Sequence, residues 1–391
     1  MNYELFFVSL HRGAHKNSPC LIVKYSIIVP VYNRPDEVDE LLQSLSQQTF
    51  TDMEVIIVED GSSLPCENIV RRYAGKLQLR YFAKENSGPG LTRNYGAEHS
   101  QGDFLIFLDS DCVLPPGFLQ AVDDNLSTLN SQLSTEVDAW GGPDRAHDSF
   151  TPVQKAISYS MTSFLTTGGI RGGKKQMDKR FYPRSFNLGI RSSLYRQLGG
   201  FSSMRFGEDI DLSLRIYESG ASCRLFPEAW VWHKRRTDFK KFFKQVHNSG
   251  IARINLTKRH PGSLKLVHLL PAMFTIGVFL LLLLFLTGLV FTGLGLYVGF
   301  FGGSGCNMGL VVAFFGGALM LLSLLPLLLF SLIVFIDSSI RNKSMKIGFL
   351  SIWASFIQLI GYGTGFLRAW WLRCICGRNE ELQAFKDNFY K

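Results

Sequence analysis

Two stretches of this chain, residues 266–300 and 308–336, are apolar from end to end and contain no Asp, Glu, Lys or Arg. A helix needs about 20 apolar residues to cross the hydrocarbon of a bilayer, so each stretch is long enough to span. Within lipid the backbone polar groups have to be satisfied inside the segment, which makes both stretches helical. Residues 347–367 form a third apolar run, richer in Gly and Ser and carrying Gln358. Its Gly361, Gly363 and Gly365 allow another helix to approach closely. Region 263–372 therefore reads as two to three transmembrane helices, with a C-terminal tail at 373–391.

From Lys234 to Arg259 the chain is dense in Lys and Arg, while Phe239, Phe242, Phe243, Val246 and Ile254 recur at near-helical intervals. This pattern predicts a basic amphipathic juxtamembrane helix over 236–262, apolar side in the lipid and charges toward anionic headgroups. His247 on it reads as a surface or interface residue. The 301–307 connection is neutral, whereas 337–346 carries Arg341, Lys343 and Lys346. By the positive-inside rule the preceding domain and the second connection face the cytoplasm, at the inner membrane of a multi-pass protein. A third full span would put the tail outside, yet Arg368, Arg373 and Arg378 favour the inside. Run 347–367 thus remains a span, a re-entrant segment or an interfacial helix. The net charge of +9 is assigned to membrane lipids, with no nucleic acid partner. Seven scattered cysteines lack metal-type spacing, which fits reduced thiols in the cytoplasm.

Upstream, residues 1–24 read as a lead-in without a cleavable signal pattern, and then the character changes. YSIIVPVYN (25–33), MEVIIVEDGS (53–62), LQLRYFAKEN (77–86) and FLIFLDSD (104–111) are strand-like runs separated by helix-like ones. Such alternation predicts a doubly wound α/β domain with a mostly parallel sheet flanked by helices. Ligands in these sheets sit beyond the carboxyl ends of the strands, where Asn33, Asp60, Asn86 and Asp109 fall. Asp109 and Asp111 stand at i and i+2, which on an extended segment points both carboxylates the same way. Together they suit one divalent metal, Mg or Mn, whose remaining positions would take a diphosphate.

The set IIVPVYNR (27–34), VIIVEDGS (55–62), GPGLTRNYGAEHSQGDFLIFLDSD (88–111), FNLGIRSSLYRQLGGF (186–201) and GEDIDLSLRI (207–216) resembles a family 2 glycosyltransferase with the GT-A nucleotide-sugar-binding fold. The likeness covers roughly residues 25–235, with Glu59 standing where the family usually has Asp. It implies an enzyme that takes a nucleoside diphosphate sugar, a UDP- or GDP-sugar. The base and ribose would lie against Pro30, Tyr32 and Asn33, with Asp60 accepting from a ring N–H. Arg93 would face the nucleotide or salt-bridge to Asp60 or Glu59. Asp111 would bind the metal, and Asp109 would reach the ribose or a metal-bound water.

The same resemblance makes Asp209 the base that deprotonates the acceptor hydroxyl in an inverting transfer, with Glu208 supporting it and Asp211 behind them. His233, at the end of a strand-like run, would complete the metal shell or bond to backbone. The implied acceptor is a lipid-linked or membrane-proximal glycan, in envelope polysaccharide or glycolipid synthesis. A processive polysaccharide synthase is disfavoured because Gln245 is followed by Val-His-Asn-Ser and not by the Arg-Trp of that class. A polyprenyl-phosphate sugar transferase and an inactive membrane scaffold of the same fold are the other readings. Arg171, Lys174 and Lys175 read as a mobile loop or as contacts to a phosphorylated acceptor.

Overall fold

The structure, a computed structural model, describes residues 3–5, 23–132, 136–147, 149–168, 181–234, 237–301, 306–378 and 380. Arg171, Lys174 and Lys175 lie outside the described residues. Strand β1 (Tyr3–Leu5) comes first, then the parallel centre of β2 (Tyr25–Val31), β3 (Met53–Asp60), β4 (Leu79–Lys84) and β5 (Phe104–Leu108). After β6 (Cys112–Val113), β7 (Ala139–Gly141) and β8 (Asp144–Arg145) come β9 (Asn187–Arg191), β10 (Cys223–Leu225) and β11 (Val231–His233). The main sheet runs β1-β4-β3-β2-β5-β9-β7-β10, and β6-β11-β8 form a small second sheet. Strands β2 to β5 pair in parallel, whereas β9 enters antiparallel between β5 and β7.

Both faces of the sheet are covered, as a parallel centre requires. Alternation along β2 sends Tyr25, Ile27, Val29 and Val31 to one side and Ile28 to the other. The first side packs on α1 (Pro35–Leu45), α2 (Glu67–Tyr73) and α4 (Phe118–Gln132). The second packs on α3 (Pro89–Glu98), α7 (Ser192–Gln197) and α8 (Glu208–Glu218). Pro35 and Pro89 each occupy the first turn of their helix, where a missing N–H costs nothing. The chain therefore reaches the carboxyl edge of the sheet at the ends of β2, β3, β4 and β5, which places the candidate residues on one rim.

Beyond the small α5 (Pro152–Thr162) and α6 (Phe164–Thr167), the remaining helices are long. Helix α9 spans Phe239–Arg259, α10 Leu266–Phe301, α11 Cys306–Asn342 and α12 Met345–Trp370, the last continuing as a π-helical turn to Ile375. Helices α10, α11 and α12 are each long and apolar enough to cross a membrane. Only 11% of the most apolar window is buried in α10 and in α11, against 50% in α12. At 36 residues, α10 is about 54 Å long, which exceeds the ~30 Å of bilayer hydrocarbon.

Helix α12 lies along α9. A Cβ on Gly250 would meet the Tyr362 carbonyl oxygen at 2.1 Å, and one on Gly365 would meet the His247 carbonyl oxygen at 2.0 Å. Glycine at both positions is what lets the two backbones touch. Phe242 and Val246 of α9 share a core with Ile347 and Ala354 of α12 and with Ala156 and Ile157 of α5. At the far end Arg373 donates to the Asn255 side chain at 2.5 Å, and Lys258 donates to the Arg373 carbonyl at 2.6 Å. Phe242, Val246 and Ile254 of α9 are thus covered by protein, where the sequence predicts lipid, while Phe243 stays exposed. The pattern of Phe and Val is satisfied equally by either partner, and a glycine-lined helix arriving from more than a hundred residues downstream supplies the cover.

Candidate active site

The rim starts with Asp109 and Asp111, which follow β5. They sit on a turn, closed by a hydrogen bond from the Cys112 N–H to the Asp109 carbonyl at 3.1 Å, and not on an extended segment. The carboxylates nevertheless converge, because His233 at the end of β11 reaches both. Its Nε2 lies 3.2 Å from Asp111 Oδ1 and 3.9 Å from Asp109 Oδ2. Strand β11 delivers it by pairing with β6, where His233 stands opposite Cys112. Phe186 stacks on the imidazole with ring centres 4.6 Å apart, and Asp144 Oδ2 lies 4.0 Å from its Nδ1.

Asp111, Cys112 and His233 lie close enough to share an ion. Burial, then the charges of Asp111 and Asp109, push the Cys112 thiol well above its ordinary value. Asp109, whose Oδ2 is 3.9 Å from the same imidazole nitrogen, joins Asp111 and His233 to give two carboxylates and one imidazole, a set that suits magnesium or manganese. At 4.0 Å Asp144 stands beyond hydrogen-bond distance of His233 Nδ1, which is buried without a hydrogen-bond partner. Arg34, from the loop after β2, places its Nη1 3.3 Å from Asp111 Oδ2.

Arg93, near the start of α3, is 3% exposed and joins the rim to the second acidic group. Its Nη2 donates to Asp109 Oδ1 at 2.6 Å, its Nη1 to Glu208 Oε1 at 3.4 Å, and its guanidinium stacks over Phe201. Burial works against the cation, but Asp109 and Glu208 outweigh it and hold the pKa above the ordinary arginine value. The ion pairs expected with Asp60 or Glu59 are replaced by these, because the turn of α3 aims residue 93 across the rim toward α8.

Helix α8 opens at Gly207, whose φ of 85° turns the chain so that Glu208 and Asp209 occupy the first turn. Burial, then the charge of Asp209, pushes the Glu208 carboxyl up to about 7 although Arg93 opposes it. Asp209 Oδ2 lies 3.4 Å from Arg184 Nη1. Asp211 faces away, bonded to His260 Nε2 at 2.9 Å and to Arg215 at 2.8 Å. Burial raises its pKa, but those bonds prevail and hold it below the ordinary aspartate value. Asp211 therefore ties α8 to the end of α9.

The nucleotide-side residues are less uniform. Asn33 Oδ1 accepts from the Ser63 and Leu64 N–H groups at 2.8 and 2.9 Å, which clamps the loop after β2 to that after β3. Pro30 lies in β2 and Tyr32 beside Asn33 on this loop. Asp60 is fully buried and takes Lys84 Nζ at 2.6 Å and the Ser87 and Gly88 N–H groups at 2.8 and 2.9 Å. Glu59 points into the core instead, bonded to the Cys66 N–H at 2.9 Å and Tyr81 at 3.1 Å. Of the pair, Asp60 is the one beside the 86–88 loop.

Asp109, Glu208, Asp209 and His233 line one cavity of about 270 Å³. Its opposite wall is made by Arg253 of α9, His268 of α10, and Gln358 and Tyr362 of α12. None of these four, nor Arg34, Asp144 or Arg184, was assigned to the site from the sequence. Arg34 and Arg184 adjoin recognised motifs, but the helix residues carry no local signal.

An α/β sheet with this order, an acidic rim at its carboxyl edge and a carboxylate-opened helix beside it define a GT-A-like nucleotide-sugar fold. Residues 26–194 match the model for glycosyl transferase family 2. An uncharacterized glycosyltransferase of Haemophilus influenzae is 44% identical over 204 residues, covering 49% of this chain and 62% of the relative. The pre-mycofactocin glycosyltransferase of Mycobacterium tuberculosis is 27% identical over 250 residues, covering 60% of this chain and 48% of the relative. A solved mannosyltransferase of Pyrobaculum calidifontis, in complex with GDP-Man and Mn2+, superposes with a TM-score of 0.51 at 16% identity, covering 89% of this chain and 91% of that one. The chain spans less than two thirds of the length of the curated relatives it matches.

Proposed function

We propose that the chain is a membrane-anchored inverting glycosyltransferase that moves a sugar from a nucleoside diphosphate sugar to a hydroxyl of a lipid-linked or membrane-proximal acceptor. The observation that carries this reading is the shared cavity, which puts the acidic rim and Asp209 opposite residues of the apolar helices. The nucleoside lies along Pro30, Tyr32, Asn33 and Asp60, and its diphosphate reaches toward Asp109, Asp111 and His233. Asp109, Asp111 and His233 would hold a divalent ion, which would supply electrostatic stabilisation to the departing diphosphate. The mannosyltransferase of similar fold, solved with GDP-Man and Mn2+, supports a donor of this class.

Asp209 accepts the proton of the acceptor hydroxyl while that oxygen bonds to the anomeric carbon and the bond from that carbon to the diphosphate breaks. Arg184 orients Asp209, and Arg93 keeps Asp109 and Glu208 at a fixed separation. For topology, we place α10 and α11 across the inner membrane and α12 at its surface beside α9, on the cytoplasmic side with the catalytic domain. Docking of α12 on α9 and α5 supports this, and it keeps Arg368, Arg373 and Arg378 inside.

The test is a panel of UDP- and GDP-sugars offered to the purified full chain, with nucleotide release followed with and without Mg or Mn. Release from one donor that depends on the metal and on Asp111 supports the proposal. No release from any donor with membrane extract as acceptor source would refute it.

A further inference from the structure

The helix-side wall of the cavity carries a chemistry of its own. Arg253 has its Nε–H buried without a hydrogen-bond partner. Gln358 is 8% exposed and its amide oxygen is likewise buried and unpartnered. An amide presents a donor or an acceptor according to its flip, so this side chain can serve either kind of ligand atom. The charges of Arg253, Lys265 and Arg184 all bear on His268. Two of these cations, Arg253 and Arg184, line the cavity, and the orphan Nε–H of Arg253 is a donor that an anionic oxygen would satisfy. Of the carboxylates lining the same cavity, Asp109 and Glu208 pair with Arg93 and Asp209 pairs with Arg184, which leaves Arg253 as the cation they do not take up.

We propose that Arg253, Arg184, His268 and Gln358 form an anion subsite that holds the phosphate or diphosphate joining a lipid to the acceptor. The inference rests on the glycosyltransferase reading and adds to it the chemical class of the acceptor. Its location selects a lipid over a free phosphate: His268, Gln358 and Tyr362 belong to helices apolar enough to cross a membrane, and Pro271 of α10 lines the same cavity. An anion bound there has the reactive end of its carrier toward Asp209 and its tail toward α10 and α12. Arg184 spans the two ends, since it also contacts Asp209 at 3.4 Å.

The test uses the full chain in detergent with farnesyl diphosphate as probe, alongside farnesol and inorganic pyrophosphate, and reads direct binding. Farnesyl diphosphate is expected to bind more tightly than either control. Arg253→Gln is expected to weaken it about ten- to a hundredfold, the range for losing a charge-assisted hydrogen bond. Gln358→Leu is expected to weaken it in the same direction. Equal binding of farnesol and farnesyl diphosphate would overturn the subsite, as would folded Arg253→Gln and Gln358→Leu proteins that bind like the parent. Pyrophosphate binding as tightly as the lipid probe would overturn the lipid assignment. Failure of the donor reading shows differently, as absence of metal-dependent nucleotide release while probe binding persists.

Discussion

The two walls of the central cavity are built by different means. The sheet-side wall comes from residues that end strands or open helices, so each of Asp109, Glu208, Asp209 and His233 is placed by the element it adjoins. The helix-side wall is assembled from single residues on α9, α10 and α12, which meet only because the glycines at 250, 361 and 365 let α9 and α12 touch. The first wall is dense in charge pairs, while the second holds donors without partners. On the proposed function, the contrast would assign chemistry to the sheet and acceptor placement to the apolar helices.

The largest effect is expected on the sheet side. Asp111→Ala should lower transfer by about 10²–10³, the range for removing a fixed electrostatic stabiliser, and should abolish the metal dependence of nucleotide affinity. Initial rates against metal concentration check this. A Gly365→Leu change strikes the other wall by forcing α12 off α9. Overpacking of this kind costs about 1–3 kcal/mol, so the thermal midpoint of the solubilised protein should fall while the metal requirement stays unaltered.

Smaller still is a pH effect at Glu208. Its carboxyl sits at about 7, above the ordinary 4.5, so the stability it contributes is present below 4.5 and is lost as pH rises through 7. Glu208→Gln, which cannot ionise, should therefore gain thermal midpoint over the parent as pH is taken from acid to above 7, in parallel melts across that range. Smallest is Arg34→Ala. Arg34 is partly exposed beside Asp111, and screened pairs contribute about 0–1 kcal/mol, so only a few-fold shift in the metal concentration for half-maximal rate is expected.

The sheet-side wall was largely legible in the sequence because strand periodicity fixes where β5 and β11 end, and hence where Asp109 and His233 emerge. The turn at Asp109 was not, since the i, i+2 spacing fits an extended segment or a tight turn equally. Arg93 could be assigned to the rim but not to its partners, which lie 16 and 115 residues away. Helix α12 shows the same limit. Its composition reads as a membrane run, and only the packing of Gly250 and Gly365 reveals that half of it is covered by protein. Arg253 and Gln358 were hidden for that reason: a lone arginine on a basic helix and a lone glutamine in an apolar run acquire meaning only when α9 and α12 meet.

The most direct test of the account is Asp209→Asn, read by donor binding and by transfer in the same preparation. The account predicts that the variant binds its nucleoside diphosphate sugar with metal as the parent does, while transfer to the acceptor falls by about 10²–10⁴, the usual contribution of a general base. Transfer at the parental rate by the folded variant would contradict it.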